Sequence, residues 1–113
     1  GGKKVFPEEV EAVLEQNNNF AEICVFGATR NSGAKDGTEE IMTVIVPKPE
    51  VIEKYSNRDD LEKFIISEVK ALSVQLAPYK RPVNIVVRTE KLPRTATNKV
   101  KRKVVKEETM ALS

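Results

Sequence analysis

Leu92-Pro93-Arg94-Thr95-Ala96-Thr97-Asn98-Lys99-Val100-Lys101-Arg102 is a Thr-rich turn that presents a lysine, Lys99, between an apolar strand-like run and a basic helix-like tail. Threonine hydroxyls bond nearby backbone in turns, so Thr95 and Thr97 are expected to brace the loop. Asn98 tolerates a left-handed backbone better than any residue except glycine. Lys99 then stands out to solvent, and the rest of the chain reads as a small α/β platform that holds it there.

Outward from this turn, Val83–Thr89 reads as a strand and Lys101–Glu107 as a last short helix. Pro78-Tyr79-Lys80-Arg81-Pro82 is a stiff basic connector. Before it, Leu61, Phe64, Ile65, Val69 and Leu72 share one helical face. Ser56 or Asn57 can cap that helix, which ends near Ser73–Ala77 ahead of Pro78. Phe20–Ala28 and Thr38–Val46 read as strands joined across the glycine-containing loop Thr29–Gly37, which suggests a hairpin. Ile41–Val46 is apolar on both faces, the pattern of a sheet covered by helices. Pro47 and Pro49 stop this strand. Gly1–Phe6 is a strand or turn. Pro7 suits a first helical position, Glu8 and Glu9 favour its positive end, and Val10, Val13 and Leu14 give the spacing of a buried face. Asn17-Asn18-Asn19 ends that helix. The expected order is α-β-β-α-β-α. That is an α+β fold, a small three-stranded mixed sheet flanked by helices, with the last strand parallel to a neighbour.

A length of 113 residues, 40% hydrophobic and 32% charged, suits one domain over 1–113 with a single core. No run of about 18 apolar residues is present, so no membrane span is expected. No signal peptide is read either, and the expected location is cytoplasmic. Cys24, the lone cysteine, fits a reducing compartment and a small core residue. Without histidine, the chain is expected to hold no metal and no histidine triad. The net charge of +2 hides an asymmetry: Ala77–Lys106 carries ten Lys or Arg against Glu90 alone, a net of +9. A basic C-terminal third implies an anionic partner: nucleotide phosphates, nucleic acid or an acidic protein surface.

Three motifs carry a resemblance. Leu92–Arg102 resembles the last core motif of the adenylate-forming superfamily, which usually reads Pro-x-Thr-x-(Thr/Asn)-Gly-Lys-x-x-Arg. Gly2-x-x-Val5-x-Pro7-x-Glu9-Val10-Glu11 resembles the motif just after that family's interdomain hinge. Leu76-Ala77-Pro78-Tyr79-Lys80-Arg81-Pro82 matches its Pro-Tyr-Lys-x-Pro connector. The resemblance implies the mobile C-terminal lid of an ATP-dependent acyl-CoA synthetase, cut from its N-terminal domain and inactive alone. The wording around Gly2–Glu11 looks most like the long-chain fatty acid branch. Implied partners are the N-terminal domain, ATP or AMP with Mg2+, a fatty acid and coenzyme A. The implied products are acyl-CoA, AMP and diphosphate. By motif position Lys99 is the catalytic lysine, a compact cation that stabilises charge developing during adenylation. By the same resemblance Gly2 lines the pantetheine tunnel after the domain rotates, and Lys3 and Lys4 face coenzyme A phosphates. Asn98 stands where the family usually has glycine.

Each residue also has a plainer reading. Lys99 could be a solvated surface lysine, Gly2 a disordered terminus, and Lys3 and Lys4 a solvated tip. Thr95, Thr97, Glu9 and Glu11 suit structural roles. The run Lys80, Arg81, Arg88, Lys91, Arg94, Lys101, Arg102, Lys103 and Lys106 could serve a stand-alone module for nucleic acid or an acidic protein. Tyr79 is the only ring there, however, and single-strand binders usually stack several. No nucleic acid is therefore expected, and most of these charges are expected to be solvated. Acetylation of Lys99 would remove its charge and offers a third, regulatory reading. A long acyl pocket is not expected within one small core. Acyl chain length, oligomeric state and peripheral membrane attachment of a full-length enzyme stay open.

Overall fold

Pro7 opens α1 (Pro7–Leu14) at its first position, with Glu8 and Glu9 in the first turn and Phe6 extended at the cap. The computed structural model describes residues 5–29 and 39–111, apart from the side chains of Thr29 and Glu39. Two strands follow, β1 (Phe20–Thr29) and β2 (Glu39–Pro47), then a five-residue helix α2 (Pro49–Glu53) and the long α3 (Arg58–Ser73). A 3-10 turn at Pro78–Lys80 leads into β3 (Asn84–Val87), and α4 (Arg102–Ala111) ends the described chain.

The sheet order is β1-β2-β3. β1 runs antiparallel to β2, with Val25 opposite Thr43. β3 runs parallel to β2, with Ile85 opposite Thr43. The expected mixed sheet is therefore present, and the connecting loop 30–38 lies outside the described residues.

Strand side chains alternate between faces, and each face has its own core. Val25, Ile41 and Ile45 pack with Val10 and Leu14 of α1 and with Leu61, Ile65 and Val69 of α3. Cys24, Phe26, Met42 and Val44 pack on the other face with Leu92 and with Val105 of α4. This is why Ile41–Val46 of β2 carries apolar side chains on both faces, with Thr43 the exception. Burying one such aliphatic side chain is worth about 1.5–3 kcal/mol.

Three expectations need correction. Pro49 does more than stop a strand: it is the first residue of α2, where a missing N–H costs nothing. The last helix starts one residue later than expected and runs on to Ala111, because Val105 and Thr109 continue its buried stripe. β3 is shorter than Val83–Thr89; Val83 is exposed, although its N–H still donates to Ile41 O. Of the two candidate caps for α3, Asn57 takes the position. Its Oδ1 accepts from Asp60 N at 2.9 Å.

Candidate functional site

The stretch Leu92–Arg102 folds into a small hairpin. Arg94 and Val100 form an antiparallel bridge. Thr95 N donates to Lys99 O at 2.8 Å, and Asn98 N donates to Thr95 O at 2.9 Å. Ala96-Thr97-Asn98 is thus a three-residue hairpin loop, a design that ends on a left-handed residue. Asn98 is that residue, with φ 67°, and it is the one non-glycine with positive φ among the described residues. The position explains why glycine would suit it and why asparagine is tolerated.

Thr95 braces the loop from within. Its hydroxyl accepts from Lys99 N at 3.1 Å and lies 3.0 Å from the Thr97 hydroxyl. The Lys99 side chain is exposed and has no ion-pair partner among the described residues. A free ammonium at the tip of a braced turn is available to an anion.

Two arginines flank Lys99, and each is held by a carboxylate from the platform. Arg94 Nη2 and Nε lie 2.7 and 3.1 Å from Glu22 Oε1 on β1, and Arg94 Nη1 donates to Asn98 O at 2.9 Å. Glu22 Oε2 also accepts from Leu92 N at 3.2 Å. Arg102 Nη2 lies 2.8 Å from Glu11 Oε1 on α1, and Arg102 Nε donates to Val25 O at 2.9 Å. Burial works against the Arg102 charge, but the Glu11 hydrogen bond and charge hold its pKa above the usual arginine value. Beside the hairpin, Glu22, Val46, Ile52, Lys91, Arg94 and Asn98 line an open groove of about 510 Å³. The unexpected α2 supplies Ile52 to that wall.

The basic run is not a bare solvated face, contrary to expectation. Besides Arg94 and Arg102, Lys80 pairs with Glu9 at 2.9 Å and Arg88 with Glu108 at 3.1 Å. The Glu9 hydrogen bond raises the Lys80 pKa above its ordinary value. Arg81 Nε donates to the carbonyls of Ser73 and Leu76 at the end of α3. Each of these four arginines is thus tied to an acid or a backbone carbonyl elsewhere in the fold. Among the described residues Lys99 does not share in this pairing, and neither do Lys91, Lys101, Lys103 and Lys106; what sets Lys99 apart is its place on the braced turn.

Gly2, Lys3 and Lys4 lie outside the described residues, so the structure does not place them beside Lys99 or away from it. Lys99, Thr95, Thr97 and Asn98 are brought together in one turn. Sequence reading left Glu22 unremarked. Its signal was present: a lone acid in the apolar run Phe20–Ala28 needs a cationic partner when buried.

Among the described residues no group of three or more His, Cys, Asp or Glu could hold a metal ion. No helix of the described residues is long and apolar enough to cross a membrane.

Comparison with known proteins agrees with this geometry. Residues 9–99 match the family described as AMP-binding enzyme C-terminal domain. The chain is 32% identical over 109 residues to a malonate–CoA ligase of Arabidopsis thaliana, covering 94% of this chain and 17% of that one. It is 34% identical over 111 residues to a Humulus lupulus protein named Probable CoA ligase CCL9, covering 98% of this chain and 18% of that one. Among solved structures, a benzoate CoA ligase from Burkholderia xenovorans LB400 superposes with a TM-score of 0.69 at 30% identity. The match covers 92% of this chain and 19% of that one. The chain thus spans about a fifth or less of the length of the proteins it matches.

Proposed function

This chain belongs to the AMP-binding enzyme C-terminal domain family, of the adenylate-forming CoA ligases, and on that premise we propose that it is the lid of an ATP-dependent acid–CoA ligase. The lid closes on an N-terminal domain that carries the nucleotide and acyl sites. The observation that supports this is Lys99, exposed and without an ion-pair partner among the described residues, at the tip of a hairpin braced by Thr95 and Asn98.

The reaction has two halves. A carboxylate oxygen attacks the α-phosphorus of ATP, forming the acyl–phosphate bond and expelling diphosphate. The thiolate of coenzyme A then attacks the acyl carbon and expels AMP, the thiol proton passing to solvent. Lys99 acts in the first half. Negative charge gathers where carboxylate and phosphate oxygens meet, and an ammonium held there stabilises it as it develops. A preorganised donor of this kind is worth about 3–4 kcal/mol, or 10²–10³ in rate. Mg2+ enters with ATP as part of the substrate.

Lid rotation then presents the Gly2 end, with Lys3 and Lys4, to coenzyme A. The acid we place in the fatty acid class, on the Gly2–Glu11 wording. The matched relatives bear names with quite different acids, so acid choice belongs to the N-terminal domain. A panel of carboxylates tests that assignment.

The decisive experiment is Lys99→Ala in the full-length protein. Carboxylate-dependent ATP–diphosphate exchange should fall about 10²–10³-fold, while thioester formation from supplied acyl-adenylate persists. Equal loss in both halves sinks the role.

A further inference from the structure

We propose that Arg94, anchored on Glu22, is the positioning residue that aims Lys99. This rests on the adenylation role of Lys99 stated above.

The inference comes from one peptide plane. With Lys99 O held by Thr95 N at 2.8 Å, fixing the C=O and the N–H of the planar Asn98–Lys99 peptide sets φ of Lys99 and hence the direction of its Cα–Cβ bond. Both groups are held. Arg94 Nη1 donates to the Asn98 carbonyl at 2.9 Å, and the Lys99 N–H donates to Thr95 Oγ1 at 3.1 Å. Arg94 is itself fixed by Glu22 through Nε and Nη2. Glu22 is nearly buried, with 8% of its side chain exposed, and sits on the edge strand β1, paired with β2 opposite Val46. Its other oxygen accepts from Leu92 N, the first residue of the hairpin stretch. One carboxylate on β1 therefore holds the hairpin where it starts and, through Arg94, just before its lysine.

The fork of the guanidinium is what makes this work. Its donors lie in one plane and reach two acceptors at fixed angles, whereas an ammonium is a point charge on a flexible stem. Arg94 also holds Asn98 in its left-handed conformation by taking its carbonyl. The lysine keeps its own side-chain freedom; only its root is fixed.

The test uses the full-length protein with Arg94→Gln, Arg94→Lys and Glu22→Gln, each alone and with Lys99→Ala. A misplacement of about 1 Å can cost 10²-fold in rate, so Arg94→Gln should lower kcat of the adenylation half by about 10–10²-fold. KM for ATP should stay within about twofold, and thioester formation from supplied acyl-adenylate should be unchanged. Arg94→Lys should not rescue, because the pair of acceptors is no longer spanned. Glu22→Gln keeps the shape and an acceptor and should give a smaller loss of the same kind. In the Lys99→Ala background these changes should add nothing, the signature of residues acting as one unit. Amide hydrogen exchange at Asn98–Val100 should quicken in Arg94→Gln while α3 stays protected.

Unchanged exchange at Asn98–Val100 overturns the positioning role whatever the kinetics. So do equal losses in both halves, rescue by Arg94→Lys, or losses that add to Lys99→Ala. A Lys99→Ala protein with full adenylation overturns the role of Lys99 instead, and the exchange measurement still decides whether Arg94 holds the turn.

Discussion

Arg102 Nη2 lies 2.8 Å from Glu11 Oε1, and the same two side chains take both free backbone groups of Val25. Glu11 Oε2 accepts from Val25 N at 2.8 Å and Arg102 Nε donates to Val25 O at 2.9 Å. Val25 sits on β1, an edge strand of the sheet. An ion pair thus stands where a fourth strand would bond, and it covers an edge that could otherwise pair with another chain. It also ties the start of α4 to α1 across 91 positions of sequence.

Arg102→Ala should cost about 2 kcal/mol in urea unfolding, because hydrogen bonds to charged groups are worth about 1.5–3 kcal/mol and Arg102 is part-exposed. The exchanged pair Glu11→Arg with Arg102→Glu should not restore stability. Val25 N needs an acceptor and Val25 O a donor, and the exchange reverses both. Full recovery in the exchanged pair would mean that charge alone matters.

Asn98→Gly should be neutral to stabilising, and Asn98→Ala should destabilise by about 1 kcal/mol, since φ 67° suits glycine and penalises a Cβ. Thermal unfolding of the two variants side by side reads the sign directly.

Thr43 is fully buried on β2, and its hydroxyl has no hydrogen-bond partner among the described residues. Val25 and Ile85 lie opposite it, and its neighbours on that face, Ile41 and Ile45, belong to an apolar core. Thr43→Val keeps the shape and removes the stranded hydroxyl. It should raise stability by about 1 kcal/mol. A fall in Tm would indicate a partner for that oxygen in solution.

Burial pushes the Cys24 thiol up from 9.0 to about 11, with Glu11 adding to the rise and Arg102 partly offsetting it. The folded state thus prefers the neutral thiol more strongly than the unfolded chain does. This stability is fully present below about pH 9 and is lost as pH rises towards about 11, amounting to at most about 3 kcal/mol. Wild type and Cys24→Ala should therefore differ in the slope of unfolding free energy between those pH values and run parallel below them. Parallel curves across the whole range would show that the thiolate is accommodated in the fold.

Local pattern settled much of this protein. Pro7 with Glu8 and Glu9 specified the start of α1. The two-faced apolar run Ile41–Val46 specified a strand covered on both sides, and Asn98 beside Lys99 specified a turn needing a left-handed residue. Such features depend on a few neighbours and on backbone sterics, so they survive without knowledge of the rest of the chain. Other features were not local. The short α2 hides behind two prolines that read as breakers. Arg102 and Lys103 stand in the first turn of α4, where the helix dipole disfavours cations. Arg102 is tolerated there because Glu11 and Val25 O receive it. The same holds for the charges at large. By sequence, Arg88, Arg94 and Arg102 are three cations in a basic tail. Only folding brings them to Glu108, Glu22 and Glu11 and leaves Lys99 without an ion-pair partner among the described residues. The sequence alone determined that a lysine stands on a tight turn. The tertiary structure decided which cations are spent on the body, because a charge pairs with whatever the fold brings within about 4 Å, however distant along the chain.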